Sequence, residues 1–82
     1  MKSISDNELV YMLREPATRR EGFSAMVQQY SEQLYWKVRH IVLTHEDAND
    51  VLQNVFLKAW KNLETFQGKS SLSTWLYRIA VN

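Results

Sequence analysis

The sequence of 82 residues contains no cysteine, one proline and only two glycines. The absence of cysteine excludes a disulfide framework, a thiol nucleophile and cysteine-ligated zinc. Because helix breakers are so few and strong helix formers run throughout, the sequence predicts an all-α fold. The chain also lacks an apolar run near the roughly 18 residues of a membrane span, and its N-terminus lacks the apolar stretch of a signal peptide. We therefore expect a cytoplasmic protein without membrane insertion.

Apolar residues make up 45% of the chain, enough for one packed helical domain. Their spacing predicts a compact bundle of four helices with a polar loop between the third and the fourth. The expected boundaries are helices over about 6–14, 18–43 and 47–63, a loop over 65–73, and a fourth helix from Ser73 or Thr74. Ser5 and Glu8 form a capping box, Asp47 is the expected cap of the third helix, and Gly68 permits a turn with positive φ.

Charge is distributed unevenly, although the net charge is only +1. Residues 1–57 carry six Lys/Arg against eight Asp/Glu, whereas residues 58–82 carry four against one. The basic end is also the aromatic end and contains the loop. A cationic polar loop beside aromatic rings suits an unstacked nucleic-acid strand, although a scatter of solvated charges explains counts this small equally well.

No pattern of residues favours catalysis or a bound metal. His40 and His45 are five apart, which misses the i, i+4 spacing of two ligands on one helix face. Ser70, Ser71 and Ser73 have no neighbouring base in the sequence, and capping or turn roles explain them better. The sequence therefore predicts that the chain is not an enzyme and takes no cofactor.

The polar face of the third helix is another candidate site. Asp50, Gln53 and Asn54 stand at i, i+3 and i+4 and form one patch. Such a patch can accept hydrogen bonds from arginines of a partner helix, although most exposed polar faces bind nothing specific. A helical protein-interaction module without a nucleic-acid role stays open. So does a duplex-reading helix–turn–helix domain, although the loop is long for its turn.

The long pattern over residues 47–82 resembles the second conserved region of bacterial sigma factors, most of all the extracytoplasmic-function group. It consists of an Asp-rich helix start, then Gln, Phe and Ala-Trp, then Phe-x-Gly and Thr-Trp-Leu-Tyr-Arg-Ile-Ala-x-Asn. The matching positions are Asp47, Asp50, Gln53, Phe56, Ala59, Trp60, Phe66, Gly68, Ser70, Thr74, Trp75, Leu76, Tyr77, Arg78, Ile79, Ala80 and Asn82. The resemblance is looser over residues 5–43, where Phe23, Val27 and Tyr30 fit the first two helices.

The resemblance implies a transcription initiation module that binds RNA polymerase core, at the clamp helices of the β′ subunit, through its third helix. The residues implied for this contact are Asp50, Gln53, Asn54 and Lys58. The family usually has an acidic residue after the glutamine, and Asn54 at that position keeps a hydrogen bond but loses a salt bridge. Anti-sigma proteins commonly mask these surfaces in the family and are a further candidate partner.

The resemblance also implies that the loop and the fourth helix recognise the −10 promoter element as melted, single-stranded non-template DNA with one flipped base. The residues implied for the DNA contact are Lys58, Lys61, Phe66, Lys69, Ser70, Ser71, Trp75, Arg78 and Asn82. The −35-binding domain of the family is not expected within residues 1–82, and the fourth helix is still in amphipathic rhythm at the last residue. Residues 1–82 are therefore expected to be the N-terminal region 2 domain of a longer protein, and a monomer.

Overall fold

The computed structural model describes residues 4–66 and 68–81, and over these residues it contains four α-helices, a short 3₁₀ turn and no strand. The elements are α1 (Asp6–Arg14), α2 (Arg19–Arg39), α3 (His45–Lys61), the 3₁₀ turn (Leu63–Thr65) and α4 (Leu72–Val81). The predicted all-α bundle, with its polar loop before the fourth helix, is confirmed. Across the described residues, no helix has both the length and the apolar content needed to span a bilayer.

Polar side chains set the starts of α1 and α3. Ser5 Oγ accepts a hydrogen bond from the Glu8 N–H at 3.2 Å, which confirms the predicted cap of α1. Thr44 Oγ1 accepts from the Asp47 N–H at 3.0 Å, so α3 begins two residues before the predicted start. The prediction of Asp47 as the cap was wrong, because the threonine supplies the acceptor. Asp47 instead places its charge in the first turn, at the positive end of the helix dipole.

The start of α4 also differs from the prediction. Ser71 Oγ accepts from the Thr74 N–H at 3.2 Å, and the Ser71 carbonyl accepts from the Trp75 N–H at 3.0 Å. Ser71 is therefore the cap, and neither Ser73 nor Thr74 is. The helix begins at Leu72, whose side chain is buried, and this burial draws the first turn inward.

The end of α2 falls at Arg39, four residues before the predicted end. The N–H groups of Ile41 and Val42 both bond to the Val38 carbonyl, at 2.9 and 3.2 Å, and Arg39 Nη1 donates to the Val42 carbonyl at 3.0 Å. This turn closes α2 and directs the chain into α3. Ile41, predicted as part of the buried stripe, is consequently 56% exposed.

The core forms where the four helices meet, and its side chains follow the helical spacing read from the sequence. The buried apolar residues are Leu9, Leu13, Met26, Leu34, Val38, Ala48, Val55, Ala59, Phe66, Leu72 and Leu76. Helices α1 and α2 approach most tightly at Gly22, where an added Cβ would lie 2.7 Å from the Cβ of Met12. The glycine lowers helix propensity, but it lets the two backbones approach closely.

Candidate functional site

Helix α3 presents the predicted polar patch to solvent. Val55 and Ala59 are buried, so the opposite side of the helix faces outward. The exposed side chains include all four that were predicted to contact a partner, namely Asp50, Gln53, Asn54 and Lys58. The patch thus offers one carboxylate, two amides and one ammonium group.

An apolar groove of about 460 Å³ lies beside this patch, and the sequence analysis did not predict it. Its lining residues are Phe23, Gln53, Phe56, Leu57 and Trp60. The ring of Phe23, from α2, meets the Trp60 ring edge-on at a centroid distance of 5.0 Å. Leu57 is 60% exposed and Trp60 is 41% exposed. Because Gln53 belongs to both features, the patch and the groove form one surface, which we call the α3 face.

The loop before α4 is shaped by its own backbone bonds and by one glycine. The Phe66 N–H bonds to the Leu63 carbonyl at 3.2 Å, which closes the 3₁₀ turn. Gly68 has φ of +74°, in the left-handed region that favours glycine, as the sequence predicted. Lys69 is exposed and Ser70 is half-buried, so the loop presents a cation and a hydroxyl next to each other.

The two aromatic residues predicted to contact DNA pack against each other. The ring centroids of Phe66 and Trp75 are 5.0 Å apart, with the planes tilted by 50°. Phe66 is 9% exposed and belongs to the core, so its ring has little surface left for a nucleobase. Trp75 is half-buried and keeps part of its ring accessible. The pair therefore anchors the loop on α4.

The remaining residues predicted for DNA lie on two parts of the bundle. Lys58 and Lys61 are exposed on the last turns of α3, whereas Arg78 is exposed on α4. Ser71 is exposed at the end of the loop, although its hydroxyl already caps α4. Asn82 lies outside the described residues. The structure therefore brings Phe66 against Trp75 of α4 and leaves Lys58 and Lys61 on a separate element.

Asp6 is a positioning residue that the sequence analysis missed. Its Oδ2 accepts from the N–H of Leu72, the first residue of α4, at 3.3 Å, and its Oδ1 accepts from the hydroxyl of Tyr30 on α2. Burial, and then this carboxylate, raise the pKa of the Tyr30 phenol above its ordinary value. Asp6 thus ties α1 to the start of α4 and, through it, to the loop. Its partners are 66 and 24 residues away, so no local pattern reveals the role.

Over residues 4–66 and 68–81, no group of three or more His, Cys, Asp or Glu residues is placed to hold an ion. His45 is occupied instead by neighbours: its Nδ1 lies 2.6 Å from the Tyr35 hydroxyl and its Nε2 lies 3.0 Å from Asn49 Nδ2. The site is therefore a pair of surfaces, the α3 face and the loop with α4.

Comparison with known proteins identifies the class to which these surfaces belong. Residues 26–82 match the sigma-70 region 2 family. Over 70 residues the chain is 47% identical to the ECF RNA polymerase sigma factor SigG of Mycobacterium tuberculosis, an alignment covering 84% of this chain and 19% of SigG. It is 33% identical over 81 residues to the ECF RNA polymerase sigma-E factor of Haemophilus influenzae, covering 99% of this chain and 41% of that protein.

The chain belongs to the sigma-70 region 2 family. Within it, these relatives identify the chain as a region 2 domain of the extracytoplasmic-function type, which confirms the resemblance read from residues 47–82. The sigma-E factor of Escherichia coli, 40% identical over 63 residues, agrees, with 77% of this chain and 32% of that protein aligned. The chain spans between about one fifth and two fifths of the length of these curated relatives.

Proposed function

We propose that residues 1–82 act as a region 2 domain in transcription initiation. The domain binds RNA polymerase core and holds promoter DNA of the −10 element as a single non-template strand. The observation that carries this proposal is the family match over residues 26–82, which covers α3, the loop and the described part of α4. The polar patch of α3 and the loop are therefore inside the matched segment, whereas Phe23, one wall of the groove, lies before it.

The α3 face is the proposed polymerase contact. Its mixed character suits a helical partner such as the β′ clamp helices, because stable interfaces combine a desolvated apolar centre with polar groups around it. An apolar side chain of the partner would enter the groove between Leu57 and Trp60. Arginines of the partner would meet the carboxylate of Asp50 and the amide of Gln53. Asn54 adds a hydrogen bond without charge.

The loop and α4 are the proposed DNA contact. Lys69 and Ser70 offer a cation and a hydroxyl to a flipped base and its phosphate, and the exposed Arg78 would hold the strand without reading its sequence. Extrusion of a base costs a few kcal/mol, and each base stacked on an aromatic ring regains about 1–3 kcal/mol. Trp75 keeps accessible ring surface for such a contact, whereas Phe66 serves by supporting the loop.

The polymerase contact is tested by binding this chain to RNA polymerase core. We expect the double variant Asp50→Ala, Gln53→Ala to bind at least tenfold more weakly, because truncating a hot-spot residue near the centre of an interface costs about 2 kcal/mol or more. The matched control is Gln28→Ala, Glu32→Ala, which removes an exposed amide and an exposed carboxylate from α2. Equal affinity of the two double variants, with circular dichroism showing equal helicity, would refute the assignment of the α3 face.

A helical protein-interaction module without a nucleic-acid role is the second candidate function. The apolar groove favours it, because exposed apolar surface of this kind often marks a protein-binding site. The two functions differ in one measurable property. Single-strand binding by the polymerase-bound domain must weaken steeply as salt is added, whereas an interaction module shows no salt-sensitive oligonucleotide binding. A third function, duplex reading, would appear as a preference for double-stranded over single-stranded DNA.

A further inference from the structure

A second concave feature lies beside the loop. It is a cavity of about 340 Å³ between α1, the start of α2 and the 3₁₀ turn. Its floor is apolar and consists of Val10, Leu13, Leu63 and Phe66. Volume and lining of this kind are typical of small-molecule sites, in which apolar walls are joined by a few polar groups.

The rim of the cavity is charged and partly rigid, and it consists of Arg14, Arg19 and Glu64. Arg19 is held in place, because its Nε donates to the Leu13 carbonyl at 2.8 Å and its Nη2 donates to the Arg14 carbonyl at 3.1 Å. These bonds use two of the five N–H groups of a guanidinium. Two cations and one carboxylate leave the rim positive, which suits an anionic ligand.

The cavity is continuous with the surface proposed for DNA. Phe66 lines the cavity and also packs on Trp75, with ring centroids 5.0 Å apart. A Cβ added to Gly68 would lie 3.7 Å from Nη2 of Arg14, so this guanidinium lies directly beside the loop backbone. A strand held by the loop therefore passes within reach of the rim.

We propose that this cavity is a second nucleotide subsite for the same DNA strand, an inference that rests on the proposed function. One base lies against the half-buried side chains of Val10 and Leu63, and Arg14 contacts the phosphate next to it. The carboxylate of Glu64 accepts a hydrogen bond from an exocyclic amine of the base, as Glu does from cytosine N4. The subsite consequently prefers a base with an amine, such as cytosine, over thymine. The same carboxylate disfavours a bare phosphate ion.

The test measures binding of labelled oligo-dC and oligo-dT strands of about 12 nucleotides to the chain in complex with RNA polymerase core. Arg14→Ala should weaken oligo-dC binding about five- to tenfold and lower the slope of log K against log salt by about 0.7, the loss of one phosphate contact. The control is Arg20→Ala, which removes another exposed arginine, outside the cavity, and should change neither quantity.

Two further variants distinguish the contact to the base from the contact to the phosphate. Val10→Phe fills the cavity and keeps both arginines, so it should weaken oligo-dC binding and leave the salt slope unchanged. Glu64→Gln should reduce the difference in affinity between oligo-dC and oligo-dT. Each variant is first checked for native helicity by circular dichroism.

The outcomes distinguish this inference from the function on which it rests. If Lys69→Ala weakens binding while Arg14→Ala behaves like Arg20→Ala, the loop binds DNA and the second subsite does not exist. If Arg14→Ala lowers affinity and Val10→Phe does not, Arg14 contacts a phosphate and no base enters the cavity, which also overturns the proposal. If the unmodified chain binds neither strand, the proposed DNA function fails and the subsite fails with it.

Discussion

The polar patch of α3 and the loop before α4 both lie within the matched segment, but they are held in different ways. The polar patch of α3 depends on a helix with a local cap at Thr44 and a buried stripe through Val55 and Ala59. The loop depends on contacts from elsewhere in the bundle, above all from Asp6 on α1. The patch is largely a property of one helix, and the loop is a property of the packed domain. Destabilisation should therefore affect the loop first.

Among the variants, Asp6→Ala is expected to produce the largest difference between its effects on DNA binding and on polymerase binding. This change leaves the Leu72 N–H and the Tyr30 hydroxyl without their acceptor, at a cost of about 1–3 kcal/mol in the free energy of unfolding. We expect weaker binding of single-stranded DNA, because Asp6 holds the start of α4. Polymerase binding should stay unchanged, because neither hydrogen bond of Asp6 involves α3. Urea denaturation measures the first effect, and the two binding assays measure the others.

The control for this change is Asp6→Asn, which keeps one carbonyl acceptor and should restore part of the stability. Equal losses at both sites in Asp6→Ala would contradict the distinction between them.

A smaller and more local effect is expected from Gly68→Ala. The φ of +74° places an alanine in the left-handed region, which costs about 1–2 kcal/mol. Beyond its chain neighbours, and over the part of the chain that the structure describes, the nearest atom to such a Cβ is Arg14 Nη2 at 3.7 Å, so the cost is mainly conformational. Single-strand affinity should fall while polymerase affinity stays constant. An equal fall in polymerase affinity would contradict the conclusion that the loop and the α3 patch are held independently.

The converse test is Thr44→Ala, which removes the cap of α3 and should cost about 1 kcal/mol. Fraying of the first turns reaches toward Asp50, so polymerase binding should weaken more than single-strand binding. Thr44→Ser keeps the acceptor oxygen and should restore both stability and binding. If Thr44→Ala weakened only DNA binding, the assignment of α3 to the polymerase contact would be wrong.

The smallest effect concerns pH and sharpens the role of Asp6. The pKa of Tyr30 is raised in the folded protein, first by burial and then by the Asp6 carboxylate, so folding favours the protonated phenol. The resulting stability is fully present below the ordinary value of 10.0 and is lost as pH rises through the folded pKa. Chemical denaturation between neutral pH and about pH 11 should show this loss. Tyr30→Phe should abolish it, and an identical alkaline loss in that variant would exclude Tyr30 as the cause.

Local features of the fold were predictable where one residue and its near neighbours decide them. Ser5 caps α1 as expected, and Gly68 adopts a positive φ as expected. The errors at Thr44 and Ser71 are of one kind, because several adjacent polar residues could each supply a cap. The early end of α2 has another cause, since the turn at Val38 and Val42 overrides an apolar spacing that continued to Ile41.

The candidate sites divide along the same line. The exposure of Asp50, Gln53 and Asn54 was predictable from helical periodicity. The family was predictable from the residue types over 47–82 alone. The groove at Trp60 was not predictable, because it needs Phe23 of α2 as one wall.

The sequence by itself determined that the chain is helical, which helix faces are buried over most of their length, and to which family it belongs. These properties depend on side-chain order at spacings of three and four residues and on a long run of matching types. Only the tertiary structure decided that Asp6 reaches Leu72, that the Gln29 amide pairs with the Ile4 backbone at 2.8 and 2.9 Å, and that a charged cavity adjoins the loop. The physical reason is that such contacts join residues far apart in the chain, and packing alone sets their distances.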